Sequence, residues 1–136
     1  MNMTMFPHSV TIINSFSTNG SNQYLFTVLD GVLFENSKKA LSKEYGVDSV
    51  DTMRCFIPYG DFPKPYIDEV DYNKLSNEQK GSYWTLRKGD LIIKGVVDTN
   101  EFSIKDYKSK YQDIMKINNI DFFLYGGLPH FEVGGS

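Results

Sequence analysis

The sequence is poor in the residues that build helical bundles. Among 136 residues the only alanine is Ala40, and alanine is the best helix former. Cysteine is equally scarce. Cys55 stands alone, so no internal disulfide can form and nothing demands an oxidising compartment. The two histidines, His8 and His130, have no second His or Cys at metal-ligand spacing. No Lys or Arg precedes Lys38. The expectation is a chain without a basic amino-terminal arm, a transit peptide or the charged start of a secretory signal. No apolar run approaches the roughly 18 residues of a membrane span. Basic residues number 14 against 17 acidic ones, a net charge of −3. That balance argues against a binder working through phosphates, which needs a basic face. A soluble protein made in a cytoplasm is expected.

Aromatics are abundant at 15%, mostly ten Phe and nine Tyr, and they suit a pleated, half-buried surface. Apolar residues at 40% and charged residues at 23% describe a globular chain. One domain of this size buries roughly two-thirds of its unfolded surface. A single mainly β domain over 1–136 is predicted: a small barrel or sandwich of about seven strands, with one or two short helices and a long loop.

Residues 1–8 are polar, offer Met1, Met3 and Met5 as alternative starts, and are predicted to be flexible. Alternation begins at Ser9, with Val10, Ile12, Asn14 and Phe16 on one face. Asn19-Gly20 lies in the turn that follows. A two-residue turn there would pair Phe16 with Gln23 and Ile12 with Thr27, mixing apolar and polar. A slip of one pairs Phe16 with Tyr24 and Ile12 with Val28, and this register, with a longer loop, is favoured. Asp30-Gly31 is either a tight turn or a glycine bulge in one long strand, and the bulge is favoured. Residues 38–45 read as a surface loop or one helical turn closing at Gly46. Residues 51–57 alternate again, with Met53, Cys55 and Ile57 on one face, until Pro58. Trp84-Thr85-Leu86 and Leu91-Ile92-Ile93 flank the turn sequence Arg87-Lys88-Gly89-Asp90 and predict a hairpin, with Gly89 suited to positive φ. Ser103 can cap a short helix whose buried face carries Ile104, Tyr107 and Tyr111. Strands over 114–118, 121–125 and 131–133 complete the set.

Cys55, inside an apolar face, reads as an inert core thiol rather than a nucleophile partnered by His130. His130 reads as an outward polar residue of a short strand. Gly126-Gly127 and Gly134-Gly135 match neither a P-loop nor a dinucleotide fingerprint and read as turn and terminus glycines. Asp68, Glu69 and Asp71 lack the central Gly and distal Glu of a calcium loop. They belong to residues 59–82, a segment with Gly60, Pro63 and Pro65 and a capping box from Ser76 to Gln79 that Gly81 limits to about one turn. Loops of this length are usually functional or disordered, and exposed aromatics anchor interfaces. The interface candidates are therefore Tyr59, Phe62, Tyr66, Asp68, Glu69, Asp71 and Tyr83, with Trp84 beside them; the alternative is that the aromatics fold back onto the core. No catalytic constellation, cofactor or metal site is predicted, and the chain is not expected to be an enzyme.

Four stretches carry a family resemblance: 5–10 (Met5-Phe6-Pro7-His8-Ser9-Val10), 27–32 (Thr27-Val28-Leu29-Asp30-Gly31-Val32), 84–95 (Trp84 through Gly95) and 130–134 (His130-Phe131-Glu132-Val133-Gly134). In this order they resemble small head–tail connector, minor capsid and head-closure-like proteins of tailed phages and prophages of Gram-positive bacteria. Members often carry Trp where this chain has Phe131. The resemblance implies a structural β-barrel subunit of the virion neck, assembled in the bacterial cytoplasm as a homo-oligomeric ring. Its partners would be a portal or adaptor protein and a tail-completion protein, with DNA only as passing cargo and no membrane. A tail-terminator ring subunit is the close variant. Composition alone leaves open a stand-alone β-barrel module that binds a ligand or peptide.

Overall fold

A computed structural model describes residues 6–37, 52–60, 62–123 and 127–136. Among them are six strands: β1 (His8–Thr18), β2 (Ser21–Asn36), β3 (Met53–Pro58), β4 (Leu91–Lys94), β5 (Ile114–Phe123) and β6 (His130–Gly135). Three short helices accompany them: α1 (Glu69–Lys74), α2 (Asn77–Lys80) and α3 (Tyr107–Lys110). All ladders are antiparallel, and the order β1-β2-β3-β6-β5-β4 closes on itself as a barrel. The domain is mainly β, as expected.

The strand set differs from the predicted one in two places. Residues 114–118 and 121–125 are not separate strands. β5 runs through the first and on to Phe123 in the second, 124 and 125 lying outside the described residues, with a register irregularity between Ile117 and Asn119 at the polar Asn-Asn step. Trp84-Thr85-Leu86 is not a hairpin partner of β4, because β1 and β5 occupy both sides of β4. The turn itself is present: Asp90 N–H donates to Arg87 O at 3.2 Å and Gly89 has φ of 93°.

The β1–β2 register also differs from the favoured one. Phe16 pairs with Gln23 and Ile12 with Thr27 across a two-residue turn, in which Asn19 (φ 51°) and Gly20 (φ 80°) take the left-handed conformation of a tight hairpin. The slip argument assumes that one face is dry and the other wet, whereas here both are covered. Val10, Ile12 and Leu29 face the barrel interior, while Ile13, Tyr24 and Phe26 face a second apolar cluster outside it. Gly31 is the bulge: Ser9 pairs with Asp30 and His8 with Val32, leaving Gly31 extra at φ 77°. His8 belongs to β1 rather than to a flexible start, and its Nδ1 accepts from Phe34 N–H at 2.9 Å.

Strand β3 has the expected faces, with Met53, Cys55 and Ile57 in the core. Gly134 and Gly135 lie within β6 rather than in a turn. A Cβ on Gly135 would overlap Lys116 O and Met115 Cγ, so this position permits the close approach of β6 to β5. Helix α3 starts later than Ser103 suggests. Asp106 precedes it, and Ile104 is 44% exposed while Tyr107 and Tyr111 pack inward. Residues 38–45 and Gly126 lie outside the described residues.

The segment from Tyr59 to Asp90 is no open loop. The registers put the β1–β2 turn, the end of β3 and the start of β6 at one end of the barrel. The segment straps across that end and holds α1 and α2 within it. Asp68 caps α1 by accepting from Asp71 N–H at 3.0 Å. The predicted capping box of Ser76 and Gln79 is formed at α2, which ends at Gly81 after four residues.

Candidate functional site

The strap is pinned by a buried polar cluster. Asn14, on the otherwise apolar inner face of β1, is 1% exposed. Its amide treats the Thr85 backbone as a neighbouring strand would, donating to Thr85 O at 2.9 Å and accepting from Thr85 N–H at 3.3 Å. The same amide donates to Asp90 Oδ2 at 3.0 Å. Arg87 Nε reaches that oxygen at 2.9 Å, its Nη1 reaches Asn73 at 3.0 Å, and its Nη2 donates to Ser15 O. The Arg87 guanidinium also lies over the Tyr72 ring at 5.0 Å, and Lys80 Nζ lies 5.6 Å from the same ring. Side-chain exposures of 14% and 5% make Arg87–Asp90 a nearly buried ion pair. Its contacts with Asn14 and Ser15 tie strap to barrel, those with Tyr72 and Asn73 hold the strap's own helix α1, and the cluster reads as a clasp.

Above it, aromatics close the barrel end. Trp84 is 1% exposed, with Phe62 and Tyr66 edge-on to it at 5.8 and 5.0 Å. Tyr66 also packs on Phe131 at 4.7 Å, and Tyr59 meets Phe122 at 4.9 Å and Phe131 at 5.2 Å. Burial pushes the Tyr66 and Tyr59 hydroxyls above the ordinary tyrosine range. Of the interface candidates, Phe62 and Tyr66 are thus lid residues, and the Asp68 carboxylate is occupied by the cap of α1, to which Asp71 gives its backbone N–H while its side chain stays exposed. Tyr59 keeps 43% exposure, Glu69 is exposed and Tyr83 is half-buried. The structure brings the aromatics together but leaves them few free faces. The signal for this was Tyr72, the fully buried centre of α1, whose apolar ring among acids is easily missed.

The two outer sides of the barrel differ. Over β1 and β4, residues 95–111 form a second layer: Val97, Phe102, Tyr107 and Tyr111 cover Ile13, Leu91 and Ile93. Gly95 N–H donates to Ser9 O at 2.7 Å, and Thr11 Oγ1 accepts from Val97 N–H at 3.1 Å, fixing this layer to β1. On the opposite side, at β2, β3 and β6, Phe6 and Leu128 join strand residues at the outer face. A groove of about 290 Å³ opens there, lined by Phe6, Leu33, Glu35, Phe56, Leu128 and His130. Leu128 is 42% exposed, and Phe123, which pairs with and stacks on His130, lies on the same side. Sequence reasoning missed this face because Leu33 and Phe56 sit between residues that face the core, and they meet Leu128 only when β2, β3 and β6 are paired.

His130 stands at the rim of the groove as the outward residue expected. It stacks on Phe123 at 5.2 Å between ring centres, bonds Leu128 O at 2.8 Å and meets Glu132 Oε2 at 3.0 Å. The Leu128 carbonyl and then the Glu132 carboxylate raise its pKa above the ordinary histidine value. Cys55 is fully buried, and desolvation pushes its thiol far above the usual range, so it is no nucleophile at neutral pH. Among the described residues, no three His, Cys, Asp or Glu side chains are grouped to hold a metal ion, and no helix is long and apolar enough to cross a membrane.

Fold and faces together define a small closed β-barrel domain with one end lidded by its own chain and, among the described residues, an apolar groove on one flank. Residues 5–136 match the model of a family described as a family of unknown function (DUF6751), and the chain belongs to that family. No curated protein and no solved structure matches it.

Proposed function

We propose that this protein is a structural ring subunit of a tailed-phage neck, a head-closure or head–tail connector component joining portal to tail. The observation that carries the reading is the pair of opposed flanks. One side of the barrel is covered by residues 95–111, and the side directly across from it offers an apolar groove. Barrel closure leaves no strand-pairing route through β1, β3, β4 or β6 along their paired lengths, so assembly must use side-chain faces. Subunits joined by unlike faces close into rings when the rotation permits. The four resembling sequence blocks point the same way. The strap adds a mildly acidic end: Glu69 and Asp71 are exposed in it, whereas Lys80 is 7% exposed and donates inward to Leu75 O at 2.6 Å. Like charge lets DNA pass without sticking. The tail-terminator variant uses the same geometry.

Negative-stain imaging of the purified chain, alone and mixed with the portal protein encoded beside it, tests the reading. Annular particles, or a ring added to the portal, are expected. A monomer that binds neither portal nor tail-completion protein overturns it and leaves the stand-alone binding module.

A further inference from the structure

The His130 ring is held between two acceptors. Its Nδ1 lies 2.8 Å from the Leu128 carbonyl oxygen, and its Nε2 lies 3.0 Å from Glu132 Oε2. A carbonyl and a carboxylate accept and do not donate, whereas a neutral imidazole carries one N–H and one lone pair. Only the imidazolium makes both bonds. In the neutral ring one nitrogen lone pair faces an oxygen lone pair, and one of the two contacts must open. A protonated Glu132 would also satisfy the geometry. Imidazole, however, is the stronger base, with an ordinary pKa of about 6.5 against about 4.3 for Glu. Arg54 Nη1, 3.8 Å from Glu132 Oε1, further favours the carboxylate. The proton therefore belongs to the ring.

The surroundings favour the charged ring as well. Among the described residues, the charged groups around it are Glu132 on its own strand, Asp121 paired with Glu132 on β5, Glu35 in the groove on β2, and Arg54 on β3. Three are acidic, and the one cation is spent on Glu132. The rings of Phe123 and Phe56 supply the uncharged sides. When the proton leaves, the remaining N–H stays with the carboxylate, the stronger acceptor because it is ionised. Leu128 is then the group let go. It stands between Pro129, whose carbonyl is anchored by Tyr59 N–H at 3.1 Å, and Gly127, which has no atom within 4 Å of where a Cβ would stand. Leu128 and His130 both line the groove, so the change falls on its wall. We propose that His130 is a proton-operated latch on the groove: as an imidazolium it holds Leu128 in the groove wall, and on giving one proton to solvent it keeps Glu132 and releases Leu128. The latch works within one chain and does not depend on the ring reading.

NMR of the imidazole nitrogens in the full chain, followed across pH, provides the test, because their shifts separate the imidazolium from each neutral tautomer. His8 is the internal reference: its Nδ1 accepts from Phe34 N–H, which requires a neutral ring. His130 is expected to titrate above His8, since burial and then Lys94 lower the one while the Leu128 carbonyl and Glu132 raise the other. The backbone order parameter at Leu128 should stay near the rigid value of about 0.85 while His130 is charged. It should fall to about 0.6 or below with the same midpoint as the ring. Glu132→Gln is the deciding variant. Its carboxamide accepts from a charged Nε2 and, once flipped, donates to a neutral one, so both ring bonds survive deprotonation and Leu128 should stay rigid at every pH. Circular dichroism establishes that this partly exposed position tolerates the change; should the variant not fold, the wild-type titration decides alone. A His130 that titrates below His8 overturns the latch, and so does a Leu128 order parameter that ignores the charge on the ring. A Leu128 transition that persists unchanged in Glu132→Gln overturns it too.

Discussion

Asp90→Ala is the substitution with the largest expected cost outside the apolar core. The carboxylate accepts from Arg87 Nε at 2.9 Å, Asn14 Nδ2 at 3.0 Å and Ser15 Oγ at 3.3 Å, at 5% residue exposure. Removing it strands a nearly buried guanidinium and an amide proton that water cannot easily reach. Breaking a buried pair on one side costs about 3–5 kcal/mol, against a total stability of about 5–15 kcal/mol for a domain. At this chain length that corresponds to a fall in Tm of roughly 10–20 °C. Urea and thermal unfolding of Asp90→Ala, Arg87→Met and the double variant Arg87→Met/Asp90→Leu measure it. The double variant should lose less than the sum of its parts, because an apolar pair replaces both charges. Arg54→Ala serves as the contrast: its 3.8 Å contact to Glu132 is 58% exposed on the arginine side, and its loss should cost no more than about 1 kcal/mol. An Asp90→Ala variant as stable as Arg54→Ala would refute the reading of this cluster as a clasp.

Two further outcomes follow from single side chains. Cys55 should react with a thiol reagent slowly in the native state and rapidly in denaturant, since the sulfur is fully buried with a raised pKa; fast native labelling would reopen nucleophilic chemistry. His130 should make stability depend on pH: its folded pKa is raised above 6.5, so its contribution is fully present below that unfolded value and is lost as pH rises through the folded one. Unfolding curves on either side of that value should show the slope, which His130→Gln should flatten; an unchanged slope would refute it.

Strand β3 is legible in sequence because the alternation of Met53, Cys55 and Ile57 with Arg54 and Phe56 reflects one buried and one open face. The β1–β2 register is not, because Ile13, Tyr24 and Phe26 are buried by residues some 80 positions away. Trp84-Thr85-Leu86 looks like a strand because it is extended and apolar, yet its backbone partner is a single bridge to Tyr66 within the strap, and Thr85 is held by the Asn14 side chain rather than by a strand. That polar residue on an apolar face is the visible clue, and its meaning depends on Asp90 being brought beside it. Among the interface candidates, spacing identified aromatics that matter but could not tell a lid from a docking surface. The groove is invisible in one dimension, since Leu33, Phe56 and Leu128 come from separate elements.

The position of β6 between β3 and β5 has a consequence for how the chain reaches its native state. Gly135 pairs with both Met53 and Ile117, and Ser136 exchanges backbone bonds with Lys116. The β1–β2 hairpin is local and can form within about 1–10 μs, but β3 and β5 cannot be bridged until residue 135 has been synthesised and has left the ribosome. Closure also brings Ile13 to Leu91, a long loop whose entropy must be lost before its contacts form. The nascent chain therefore waits with open strand edges on β3 and β5, and high-contact-order domains of this kind fold in about milliseconds to seconds. During that interval the chain is most exposed to aggregation, so shortening or tagging the segment that ends at Gly135 should lower soluble yield before it alters anything the folded barrel does.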